Sequence, residues 1–190
     1  IGGTPYAGST RLLPIASGYA SNIFNGSIVS IVAAGTVEMV TVTGNGGGGA
    51  AASFPAGTIG VFVGCTYSDP VTGNLTFNQY WPSGTVAADA QAYIIDDPDV
   101  VFMAQADAAV TQADLGQNTH LAAAQSTTTG STQNGNSNTA VDATTATTAT
   151  FAFRIVDFVD SPTSTVGDAF TDLLIKFNPG MHSYTNATGI

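Results

Sequence analysis

Gly57-Thr58-Ile59-Gly60-Val61-Phe62-Val63-Gly64-Cys65-Thr66 is the stretch that decides the fold. Its β-branched and aromatic residues suit a pleated, buried surface, and the sequence predicts a core strand there. Tyr67-Ser68-Asp69-Pro70-Val71-Thr72-Gly73-Asn74 follows as a cluster of turn formers. Leu75-Thr76-Phe77-Asn78-Gln79-Tyr80-Trp81 then alternates apolar and polar residues, the mark of a half-buried strand, and Pro82-Ser83-Gly84-Thr85 ends it. Ala90-Gln91-Ala92-Tyr93-Ile94-Ile95 reads as another strand, and Asp96-Asp97-Pro98 turns the chain into Val100-Val101-Phe102-Met103-Ala104-Gln105. Upstream, the runs 27–32 and 36–42 are rich in Val, Ile and Thr, and Ala34-Gly35 between them predicts a hairpin. Phe151-Ala152-Phe153-Arg154-Ile155-Val156-Asp157-Phe158-Val159 and Asp172-Leu173-Leu174-Ile175-Lys176-Phe177-Asn178 resume the strand pattern near the end. Helical pattern is confined to one turn around Gln112-Ala113-Asp114-Leu115. Short strands separated by turn signals predict an all-β chain, an antiparallel β-barrel or β-sandwich.

Two segments lack a sustained period. Residues 1–22 are broken by Gly, Pro and Ser and read as an extended N-terminal arm. Residues 125–150 are built from Thr, Ser, Asn, Gly and Ala, with too little apolar surface to offset the entropy of ordering. They read as a long loop or a polar, Thr-rich strand. Strands resume on both sides of that stretch, so residues 23–190 are expected to form a single β domain. Gly44 to Gly49 is a glycine-rich loop tip, without the Lys that a phosphate-cradling GxxxxGK[ST] loop needs.

The chain has 190 residues, and 44% are hydrophobic, enough for a core. Charged residues make up 8%, against about 25% in ordinary globular proteins. Arg11, Arg154 and Lys176 stand against thirteen acids, twelve of them Asp, for a net charge of −10. Such a chain is repelled by nucleic acid, and it has neither a basic amphipathic stretch for anionic lipid nor an 18-residue apolar run for a membrane span. The opening Ile1-Gly2-Gly3 lacks a Met and the basic start and apolar block of a signal peptide, so a trimmed or truncated start is expected. Scarce Lys also means that strand edges must be covered by something other than cationic side chains.

Candidate chemistry is thin. Cys65 is the single cysteine, cannot form an internal disulfide, and reads as a buried structural thiol. His120 and His182 stand without a local HxH or HExxH pattern. Asp96-Asp97-Pro98-Asp99 is the densest acid cluster, but it lacks the alternating DxDxDG spacing of a calcium loop and reads as a tight turn. Tyr80-Trp81 reads as an aromatic pair packed at a strand end, with a sugar-stacking platform as the alternative. With one Glu and dispersed Asp, no glycosidase carboxylate pair stands out, and no GxSxG elbow is present. No enzyme activity, cofactor or metal is expected.

Several short stretches resemble virion proteins of tailed phages, especially marine and cyanobacterial ones. They are Gly64-Cys65-Thr66-Tyr67 through Asp69-Pro70, Gly73 and Leu75-Thr76-Phe77 to Tyr80-Trp81-Pro82, and Ala92-Tyr93-Ile94-Ile95-Asp96-Asp97-Pro98 with Phe102-Met103-Ala104-Gln105-Ala106-Asp107. Asp114-Leu115-Gly116-Gln117-Asn118, Thr128-Thr129-Gly130-Ser131 and Leu173-Leu174-Ile175-Lys176-Phe177-Asn178-Pro179-Gly180-Met181-His182 continue the likeness, which covers residues 57–182. The family it resembles is that of capsid decoration, or cement, proteins. The resemblance implies a homotrimer on the outer surface of the phage capsid, bridging neighbouring copies of the major capsid protein, with no catalytic residues to carry over. An extended arm suits such docking, because it can add a strand to a neighbour's sheet. On that reading Tyr6, Arg11, Leu12, Leu13 and Ile15 are the expected capsid contacts, as apolar and cationic residues in an otherwise unpatterned segment. The alternatives are a head fibre, spike or tail component, and a carbohydrate-binding surface module.

Overall fold

Alternation with a period of two, cut by turn formers, carries this chain into strands throughout. The computed structural model describes residues 8, 10–41 and 54–190. Over these the strands are β1 (Arg11–Pro14), β2 (Ile28–Ile31), β3 (Val37–Met39), β4 (Thr58–Ser68), β5 (Leu75–Asn78), β6 (Gln91–Ile95), β7 (Phe102–Gln105), β8 (Asn118–Thr119), β9 (Phe153–Phe158) and β10 (Asp172–Phe177). A single turn of 3-10 helix spans Gln112–Asp114. The first sheet runs β1-β6-β4-β2-β3, with β5 also paired to β4, and the second runs β7-β10-β9-β8. Every ladder between these strands is antiparallel. Both sheets are open, so of the two architectures expected, the layered one holds and the closed barrel does not.

The hairpin at Ala34-Gly35 forms where the sequence places it. Val32 N–H donates to Thr36 O at 3.0 Å, and Gly35 takes φ +75°, a left-handed conformation that costs glycine little. β4 is the long central strand. Its first half pairs with β2, its second half with β5, and its other edge with β6. Gly60 lets β4 and β6 close: its φ is +144°, and a Cβ there would lie 2.0 Å from the Ile95 carbonyl oxygen.

The first sheet is buried on both faces over part of its area, which gives two apolar clusters. On one face Leu13, Val29, Val37, Ile59, Phe62 and Ile94 gather with Ile23 and Trp81 from irregular segments that cover them. Trp81 is fully buried, donates from Nε1 to Tyr19 O at 3.3 Å, and meets Tyr67 edge-on at 5.4 Å. On the opposite face Ile28, Val40 and Val61 meet Phe153, Ile155, Leu173, Ile175 and Phe177 of the second sheet.

One segment departs from the reading of the sequence, and a second follows it as a long loop but is held in place in a way composition does not show. Within the expected arm of residues 1–22, β1 is an outer strand of the chain's own sheet, hydrogen-bonded along β6. Leu13 and Ile15 share one face of that segment and enter the first cluster. Pro14 is tolerated because β1 is an edge strand. Residues 125–150 form no strand but are held by polar contacts. Buried Gln125 accepts from Ile28 N–H at 2.8 Å and donates to Ile28 O at 3.0 Å and Val40 O at 2.9 Å. Val141 bridges to both Ala106 and Leu121. The entropy of ordering a polar segment is offset here by side chains that satisfy buried backbone groups. The glycine-rich loop at 44–49 lies outside the described residues.

Candidate docking face

The outer face of the first sheet divides in two. Near β2 and β3 it is covered by the second sheet. Toward β5 and β1 it is open, and there the registers build rows of apolar and neutral polar side chains, with the carboxylates of Asp69 and Asp89 at the margin beside Ser68. Phe77 stands opposite Thr66, Thr66 opposite Gln91, and Gln91 opposite Pro14, which makes one row across four strands. The flanking rows are Leu75 with Ser68, and Leu12 with Tyr93 and Gly64. Phe77 is 71% exposed, Leu75 62% and Leu12 51%. β5 was read as half-buried; its alternation is present, but its apolar side chains point outward, with Thr76 and Asn78 on the more covered side. The turn at its head holds Val71 outward as well, and Asp69 Oδ1 shapes that turn by accepting from Val71 and Thr72 N–H, each at 2.8 Å. Those backbone bonds hold the Asp69 carboxyl below the usual carboxylate range. Leu75 and Phe77 adjoin on β5, and with Leu12 across the sheet they make this open face the candidate docking surface.

The structure distributes the expected contact residues unevenly. Leu12 lies on this open face. Leu13 and Ile15 are buried in the chain's own first cluster, and so are not available to a partner. Arg11 closes a clasp at the end of the sheet: it donates to the Tyr184 hydroxyl, lies 3.6 Å from Asp96 Oδ2, and Tyr184 donates to the same Asp96 oxygen at 2.7 Å. Tyr6 lies outside the described residues. The exposure of Leu75 and Phe77 was not legible in the sequence, because alternation shows which residues share a face, not which face is covered.

The other candidates have structural surroundings. Cys65 is 1% exposed, and burial pushes its thiol up to about 12, far from the thiolate a nucleophile needs. Asp96 joins the Arg11 clasp, Asp97 Oδ1 accepts from Asp99 N–H at 2.8 Å, and Asp99 pairs with Lys176. Trp81 is enclosed rather than presented for stacking, and Tyr80 stacks on Phe24 at 5.7 Å. His182 is buried, with Nε2 2.8 Å from Ile59 O and Nδ1 accepting from Tyr184 N–H at 3.2 Å. His120 lies 3.6 Å from Asp142 and packs on the Phe151 ring at 4.7 Å. Among the described residues no three His, Cys, Asp or Glu side chains come together as metal ligands would.

A cleft of about 650 Å³ opens between the two sheets, lined by Asn25, Val61, Met103, Gln105, Ser137 and Asn138 among others. Its walls offer amides, hydroxyls and apolar groups, but none of the side chains lining it is acidic, basic or a thiol. Its amides and hydroxyls can hold a neutral group by hydrogen bonds. No helix among the described residues is long and apolar enough to cross a membrane. Comparison with family models, with curated proteins and with solved structures finds no match to this chain.

Proposed function

We propose that this chain is a structural virion subunit that decorates the outer surface of a tailed-phage head and works by lying against the major capsid protein. The observation that carries the reading is the open face of the first sheet, where Phe77, Leu75 and Leu12 stand exposed in rows across β5, β4, β6 and β1. A lone monomer gains nothing from holding such side chains in water, whereas burying each at an interface contributes about 1.5–3 kcal/mol. The setting comes from the likeness of residues 57–182 to decoration proteins. Repetition over a shell lattice lets each contact be modest, since avidity supplies the rest. The net charge of −10 keeps such a subunit from adhering to DNA.

The test is electron microscopy of particles carrying the chain, paired with binding of purified protein to undecorated shells. Density on the outer shell is expected. Replacing Leu75 and Phe77 together by Lys is expected to weaken shell binding at least about tenfold, the loss of one buried aromatic and one aliphatic anchor. Both side chains are exposed, so the thermal midpoint should stay close to that of the wild type. Density confined to the tail, or full occupancy by the double variant, would overturn the proposal.

A further inference from the structure

Two of the chain's three cations face each other. Lys176 on β10 and Arg154 on β9 are direct cross-strand partners. Like charges in that position weaken a strand pair, and a chain with thirteen acids had ample means to avoid it. Their neighbours Phe153, Ile155, Ile175 and Phe177 are buried in the second cluster, so the two cations sit on the sheet's outward side. A pocket of about 220 Å³ lies at the pair, with Pro98, Val156 and Pro179 among its walls. Lys176 Nζ donates to Asp99 Oδ1 at 2.6 Å, and the Asp99 side chain is 82% exposed. Arg154 donates from Nε to Asn118 Oδ1 at 3.1 Å. No described carboxylate lies within ion-pairing distance of Arg154, so its two terminal nitrogens remain for a ligand.

We propose that Arg154 and Lys176 form a carboxylate-binding site for an acidic peptide segment of a neighbouring protein, with Asp99 as the chain's own competitor for it. Asp99 shows the chemistry the site accepts: a planar oxyanion on a short apolar stem, delivered from the side. The free edge of a guanidinium matches a carboxylate through two parallel bonds. Walls of Pro98, Pro179 and Val156 favour the methylenes of an Asp or Glu side chain over a hydrated inorganic anion. An ion pair as exposed as Lys176–Asp99 contributes little, so an incoming carboxylate displaces it readily. The site lies on the second sheet, apart from the Phe77 face, and stands or falls independently of the docking proposed there.

The chain has only two arginines, Arg11 and Arg154, so its side-chain Nε–H signals in a ¹H–¹⁵N spectrum are two, and Arg154→Lys assigns them. The protein is titrated with end-blocked hexaglutamate, and separately with inorganic phosphate. Salt is held near 0.1 M, where the field of the net acidic chain is screened beyond about 10 Å. The Arg154 signal is expected to shift saturably with the peptide while Arg11 stays in place. Lys176→Gln should weaken peptide binding about fivefold, the loss of one charge-assisted contact. Asp99→Asn, on an exposed side chain, should strengthen it about threefold by removing the competitor. Four outcomes overturn the proposal: no shift at Arg154, equal shifts at both arginines, phosphate binding as tightly as the peptide, or no gain in Asp99→Asn.

Discussion

His182 shows how enclosure fixes the state of a single side chain. Its Nε2 lies against the Ile59 carbonyl and its Nδ1 accepts from the Tyr184 backbone, so the neutral ring satisfies both neighbours. Burial pushes the ring below the ordinary histidine value, and the Ile59 contact and the nearby Asp96 and Asp97 charges only partly oppose it. In the unfolded chain the ring takes a proton near pH 6.5. The stability this residue contributes is therefore complete above about pH 6.5 and is lost as pH falls from there toward the lower folded value, because the unfolded state binds more protons in that window. The urea midpoint should drop between pH 7.5 and 5.5, and His182→Asn should reduce that drop. An identical drop in the variant would show that His182 is not its source. Asp69, held down by backbone bonds, and Asp89, held down chiefly by the Ser68 hydroxyl, act in a separate acid range, below about pH 4.

At the scale of elements, the segment after residue 124 shows what composition leaves out. Gln125 bonds three backbone groups of two other segments, at Ile28 and Val40. Gln125→Ala leaves Ile28 N–H and Val40 O buried and unpaired, while Ile28 O keeps its bond from Val40 N–H, and should cost about 2–4 kcal/mol of unfolding free energy, measured by chemical denaturation. A cost near zero would mean that water replaces the carboxamide. The strands themselves were legible in the residues. β2, β3, β4 and β6 lie where β-branched runs and turn formers place them, and the Ala34-Gly35 turn is the hairpin turn. Gln125 was not legible, because a long-range side-chain bond leaves no mark on local pattern. β1 was hidden for a related reason: four residues ending in Pro14 are too short to show a period, and pairing with β6 decides their place. Leu75 and Phe77 gave the correct alternation with the wrong face inward. Arg154 and Lys176 belong to predicted strands, yet their opposition depends on a register that includes a shift between Leu174 and Ile175.

For the whole molecule, the first sheet is the shared layer. Val29 and Ile59 serve one apolar cluster while Ile28 and Val61, on the same strands β2 and β4, serve the other. Neither cluster can open without disturbing the strands that carry both. The described body should therefore unfold in one step, with Trp81 fluorescence, which reports the first cluster, and far-ultraviolet circular dichroism, which reports all strands, giving the same midpoint. Separate midpoints would show that the second sheet melts on its own. The pairing of β1 with β6 also imposes an order in time. Gln91–Ile95 is made about eighty residues after Arg11–Pro14. At a ribosomal pace of about 5–20 residues per second, the earlier strand waits roughly 4–16 seconds for its mate. During that interval the edge that seats Leu13 does not yet exist, so the earliest of the described strands takes its place only after five later ones, β2 to β6, have been made.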